Sequence, residues 1–82
     1  MAIQQSEEFG TLQRLVEALY RDKKRVARLD VLLTAQSFDL IADLQEIVDL
    51  LPPGTYTRQR LCNQFNSALT GHGWGLIYGT VD

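Results

Sequence analysis

Cysteine is almost missing from this chain of 82 residues. Cys62 stands alone, so no disulfide can form within the chain. A lone thiol suits a reducing compartment, and the cytoplasm is the expected location. Histidine is equally scarce: Cys62 and His72 fall short of the three or four ligands of a zinc site, so no metal and no cofactor is expected. Long apolar runs are missing too. Nothing approaches the length that spans a bilayer, and the first ten residues have no apolar stretch and carry Glu7 and Glu8, which argues against a signal peptide. Positive charge is not in excess either. Eight Lys and Arg face ten Asp and Glu, a balance of −2 that a dedicated nucleic-acid binder rarely shows.

The chain does have apolar side chains, at 45% of residues, which excludes disorder. The length allows one domain, residues 1–82, with a thin core, since a chain of this size buries only about 60% of its unfolded surface. No internal repeat or low-complexity segment stands out.

Glycine and proline are absent between Thr11 and Leu51. They gather instead at Pro52–Gly54 and at Gly71, Gly73, Gly75 and Gly79. That spacing predicts a long first helix over about 11–35, with Leu12, Leu15, Leu19, Val26, Leu29 and Leu33 on one face. Asp22 interrupts the stripe; a bend or a pair with Arg25 accommodates it, and two shorter helices are the alternative. Ser37 is the expected N-cap of a second helix that buries Phe38, Leu40, Ile41, Leu44, Ile47, Val48 and Leu51 and stops before Pro52. A third helix over 57–70 starts at Thr57, with Tyr56 and Leu61 spaced as a hydrophobic staple, and closes at Gly71. Trp74, Leu76, Tyr78 and Thr80 alternate as in a strand. The expected fold is therefore all-α or α-dominated: three helices, the first long, followed by one short C-terminal β-strand.

Few residues suggest chemistry. A Cys62–His72 nucleophile pair would need the thiol out of the apolar face it shares with Leu61 and Phe65. Gly71, Gly73 and Gly75 close a helix, whereas a phosphate-cradling loop opens one. No enzyme is expected. Asp39, Asp43 and Glu46 form an acidic ridge opposite the apolar face of the second helix. Arg14, Arg21, Arg25 and Arg28 fall within about 60° of each other on the first, with Lys24 beside them. From Leu50 to Val81 there is no acid at all. The helix in that segment offers Arg58, Gln59, Arg60, Asn63, Gln64 and Asn66, side chains that suit a protein interface and also read base edges and phosphates.

Two functions follow. The first is a small non-enzymatic protein-binding module of adaptor or inhibitor type. The alternative is a helix-turn-helix-like nucleic-acid-binding regulator using helix 57–70. Trp74, Leu76 and Tyr78 are too apolar for a free tail, and a C-terminal strand needs a partner for its backbone. Two partners are in reach: the short extended segment Gly54–Thr57, which would make a small internal ribbon, and the same strand of a second chain, whose homodimer pairs the full strand and is preferred.

Overall fold

The computed structural model describes residues 5–82. Its elements run α1 (Thr11–Leu19), β1 (Arg25–Ala27), α2 (Arg28–Gln36), α3 (Ala42–Asp49), β2 (Thr55–Thr57), α4 (Arg58–His72) and α5 (Gly75–Tyr78). The two strands pair antiparallel, with Val26 opposite Tyr56. The expectation of three helices and a C-terminal strand is corrected by this arrangement of five helices around an internal two-stranded sheet. The molecule measures 41 × 22 × 19 Å. No helix among the described residues is long and apolar enough to cross a membrane.

The order helix–strand–helix occurs twice, which the sequence did not reveal as a repeat. In each copy the strand leads straight into a helix whose first residue is arginine, Arg28 or Arg58. Each of these arginines donates to main-chain oxygen further along the chain. Arg28 donates to Leu51 O at 2.7 Å and Asp49 O at 3.4 Å, holding the end of α3. Tyr56 sits inside this junction, its hydroxyl bonded to the Pro52 carbonyl.

The long first helix is broken because residues 20–25 offer nothing apolar to bury except the face of Tyr20. Arg21, Asp22, Lys23, Lys24 and Arg25 are all exposed. The chain leaves α1 there, and Val26 is buried from a strand instead of from a helix. The break shifts the helical phase. Leu12, Leu15 and Leu19 are buried as the stripe requires, but in α2 the buried residues are Val31 and Ala35, while Leu29 and Leu33 are 63% and 55% exposed.

Ser37 closes α2 rather than opening α3. Its hydroxyl donates to Thr34 O, and Asp39 takes a left-handed φ of 50° as the chain reverses. Aspartate tolerates that region better than most side chains. Helix α3 then starts at Ala42.

Thr57 does cap α4, its hydroxyl accepting from the Arg60 N–H at 3.3 Å. The helix passes through Gly71 and ends at Gly73, where φ is 72°. Gly73 N–H bonds to Thr70 O and Trp74 N–H to Leu69 O, the paired bonds of a Schellman ending. The segment expected as a strand is the helical turn α5. Its alternation fails because Leu76 points out, at 67% exposure, while Tyr78 is buried. The turn satisfies its own amides, and the N-terminal segment uses its carbonyls: Ser6 N–H bonds to Ile77 O and Gly10 N–H to Tyr78 O. A strand-mediated homodimer therefore has no strand to form it. Gly79 follows at φ 86°, close enough to the Phe9 ring that a Cβ would lie 3.2 Å from it.

Candidate functional site

The core is a single cluster running from Leu12 on α1 to Val81 at the tail. Helix α4 contributes Leu61, Cys62, Phe65 and Leu69 to it, so its opposite face carries the polar side chains singled out from the sequence. Two of those six hold polypeptide. The Asn66 amide pairs with both main-chain groups of Val81: Nδ2 donates to Val81 O and Oδ1 accepts from Val81 N–H, each at 2.8 Å. Arg58 donates to Asp82 O from Nε at 3.2 Å and Nη2 at 3.0 Å. Gln13, from α1, repeats the amide pairing one residue on, donating to Asp82 O at 3.1 Å and accepting from Asp82 N–H at 2.9 Å. Between these clamps the Val81 side chain is buried, at 5% exposure. An open groove of about 410 Å³ runs alongside, lined by Arg58, Gln59, Cys62, Asn63 and Asn66 together with the tail.

Gln59 and Asn63 thus sit beside the same groove. Arg60 lies over the Tyr56 ring, 5.6 Å from its centre. Gln64 lines a different hollow with Ile47, Leu50 and Phe65. Gln13 was not singled out from the sequence, and no local signal marks it, because the residue it binds lies at the other end of the chain.

The remaining candidates do not form the surfaces expected. The basic residues are not one helical stripe. Arg14, on α1, bonds to the Thr11 hydroxyl. Arg21 and Lys24 lie on the connecting loop and Arg25 on β1, while Arg28 is engaged at the end of α3. The acidic ridge is partly covered by the tail. Asp43 accepts from the Tyr78 hydroxyl at 2.5 Å, and Glu46 pairs with His72 Nε2 at 3.0 Å. Asp39 stays exposed in the turn. Trp74 lies edge-on to both His72, at the end of α4, and Tyr78, on α5. Trp74, Leu76 and Tyr78 therefore serve different surroundings, and only Leu76 is open to solvent. With Phe9 it borders a second, apolar groove of about 470 Å³.

Cys62 and His72 are not arranged as a nucleophile and its base. Burial raises the Cys62 thiol above its ordinary value, with Arg58 opposing and Asp82 adding to the rise. A thiol held protonated in this way attacks poorly. His72 is ten residues along the same helix, about 15 Å away. Among the described residues no group of three His, Cys, Asp or Glu is placed to hold a metal ion.

Two tyrosines carry the clearest electrostatic shifts. The Tyr78 hydroxyl is raised by its hydrogen bond to Asp43, then by burial and by the charges of Asp43 and Glu8. The Tyr20 hydroxyl, which donates to Tyr56 O at 2.8 Å, is pushed up to about 12, first by burial, then by Cys62, with Arg58 opposing. The folded state thus favours the neutral form of Tyr20. Its contribution to stability is complete below pH 10 and is lost as the pH climbs through 12. The expected result is that the stability gap between the wild-type chain and Tyr20→Phe narrows across that window in urea unfolding. A gap that stays constant from neutral pH to 12 would contradict it.

Comparison with known proteins returns no matching family, no matching curated protein and no matching solved structure.

Proposed function

We propose that this chain is a small non-enzymatic protein-binding module of adaptor or inhibitor type. One observation carries the reading: the polar face of α4, with Gln13 beside it, binds main chain. Three side chains make six hydrogen bonds to the backbone of only two residues. Amides that pair with both N–H and C=O of one residue recognise extended polypeptide whatever its sequence, while the apolar socket around Val81 adds side-chain preference. The exposed leucines of α2, Leu29 and Leu33, offer a further apolar surface of the kind that protein contacts use. The lone buried thiol fits a reducing compartment, and the cytoplasm is the location proposed.

The nucleic-acid reading draws support from the acid-free segment and from the exposed Gln59, Arg60, Asn63 and Gln64. Against it weigh the engagement of Arg58 and Asn66 with the tail, and the strand β2 that separates α3 from α4 where a helix-turn-helix has a short turn.

The test is affinity capture from the source lysate with the intact chain as bait, with and without nuclease. Proteins recovered equally under both conditions are the expected result. Recovery that vanishes with nuclease, and weakens steeply with salt and with Arg58→Ala plus Arg60→Ala, would establish the alternative instead.

A further inference from the structure

We propose that the exposed connection between α1 and β1, with Arg21, Lys23, Lys24 and Arg25, is a docking surface for an acidic polypeptide segment of a partner protein. The inference rests on the protein-binding reading and adds a surface distinct from the polar face of α4.

The 8 Lys and Arg side chains divide into two groups. Arg14, Arg28 and Arg58 are hydrogen-bonded within the chain, and Arg60 lies over the Tyr56 ring. The other group is Arg21, Lys23, Lys24 and Arg25, all exposed and nearly consecutive. Among the described residues neither an acid nor an aromatic ring is paired with any of these four; the ion pair found there joins His72 to Glu46. The chain has 10 acids to spend on them and spends none. Like charges held this close repel one another in the compact state. Carboxylates supplied by a partner would relieve that repulsion and steer the encounter.

The cations stand on a fixed frame. Tyr20 holds the start of the connection through its bond to Tyr56 O at 2.8 Å, and at the other end Arg25 lies opposite Thr57 across the sheet. The residue after Thr57 is Arg58, whose charge is felt at the Tyr20 hydroxyl and adds to the positive potential there. A surface arranged before binding has less to order when the partner arrives. Polypeptide suits it better than other polyanions. Asp22 lies inside the run, and Glu17 is exposed in the last turn of α1. A DNA duplex carries one negative charge per about 1.7 Å of its axis and would press on both, whereas carboxylates along a peptide can be spaced around them. The run from Arg21 to Arg25 has no aromatic ring to stack unpaired bases and no apolar side chain to enter a lipid interface. Arg21 and Arg25 bring forked donors that match a carboxylate in shape and charge.

The experiment titrates a labelled octaglutamate peptide onto the full chain, with octaglutamine, a DNA duplex and phosphatidylserine vesicles alongside. Octaglutamate binding is expected to weaken about tenfold between low and physiological salt, and about tenfold in the combined variant Arg21→Gln, Lys23→Gln, Lys24→Gln, Arg25→Gln. Arg14→Gln, which removes a cation outside this surface, should leave it unchanged. Octaglutamate bound no better than octaglutamine would overturn the proposal, as would undiminished binding by the combined variant or tighter binding of the duplex or the vesicles. If the combined variant loses its helical spectrum, NMR of the wild-type chain decides. Octaglutamate must then move the amide signals of residues 21–25 more than those of α4; shifts confined to α4, or none, reject the surface. If the combined variant captures the same proteins from lysate as the wild-type chain, this inference fails and the broader reading stands.

Discussion

Phe65→Ala is expected to leave the domain largely unfolded well below the melting temperature of the wild-type chain. Phe65 is the largest fully buried side chain, 1% exposed, on the inner face of α4 between Leu61 and Leu69. Truncating such a phenylalanine costs about 3–5 kcal/mol, the lost transfer energy plus the cavity left behind. A domain this small has little to spare, because natural stabilities are about 5–15 kcal/mol and small cores sit at the low end. At about 4–8 °C per kcal/mol, the melting temperature should fall by roughly 12 °C or more. Thermal and urea unfolding followed by circular dichroism measure this. A loss below about 1 kcal/mol would mean that α4 does not pack as described. Leu29→Ala is the contrasting case. The apolar periodicity of the sequence places Leu29 in the core, but the side chain is 63% exposed, so the substitution should stay within about 0.5 kcal/mol.

Arg28→Met should be the next most damaging change, although it removes a charge rather than core volume. The half-buried guanidinium donates to Leu51 O and Asp49 O, carbonyls at the end of α3 that no helical N–H can reach. Hydrogen bonds from a charged donor contribute about 1.5–3 kcal/mol, and a cation at a helix C-terminus adds about 0.3–1 kcal/mol. Methionine keeps the apolar stem and loses only the fork. The expected drop in melting temperature is roughly 6 °C or more. Arg28→Lys should recover part of it, since an ammonium keeps the charge without the forked geometry. If Arg28→Met is neutral within about 0.5 kcal/mol, the end of α3 is held by something other than this side chain.

What could be read in advance was what local chemistry dictates. The start of α4 follows from the Thr57 hydroxyl and the Tyr56–Leu61 spacing, and its buried face follows from the helical period. The polar residues Arg58 and Asn66 were identifiable as an outward face for the same reason. Their ligand was not, because Asn66 binds a residue 15 positions on and Gln13 one 69 positions on. A single helix over 11–35 does not form, because the absence of glycine and proline is not itself a helical signal; the alternative of two shorter helices matches α1 and α2, though not the strand between them. Five exposed residues, Arg21–Arg25, end α1 without any breaker, and β1 exists only because Val26 meets Tyr56 far along the chain. The tail is a helical turn and not a strand, and alternation over so few positions cannot separate the two. The bonds that decide it come from Ser6 and Gly10, at the other terminus.

The pairing of Val26 with Tyr56 also governs how the chain must fold. Each strand has three residues and no neighbour within its own half, so neither half can satisfy its strand's backbone alone. Helices can flicker early, but the sheet is rewarded only after a loop of about thirty residues closes, an entropic cost that grows as the logarithm of loop length. Doubling that loop would add only about 0.6 kcal/mol. The turn between the halves, where Ser37, Asp39 and Ile41 are all exposed, is therefore the place where the chain can take extra residues without losing its register. Shortening the same turn would act on geometry instead of entropy, pulling the two strands past each other and turning Val26 and Tyr56 out of the core together.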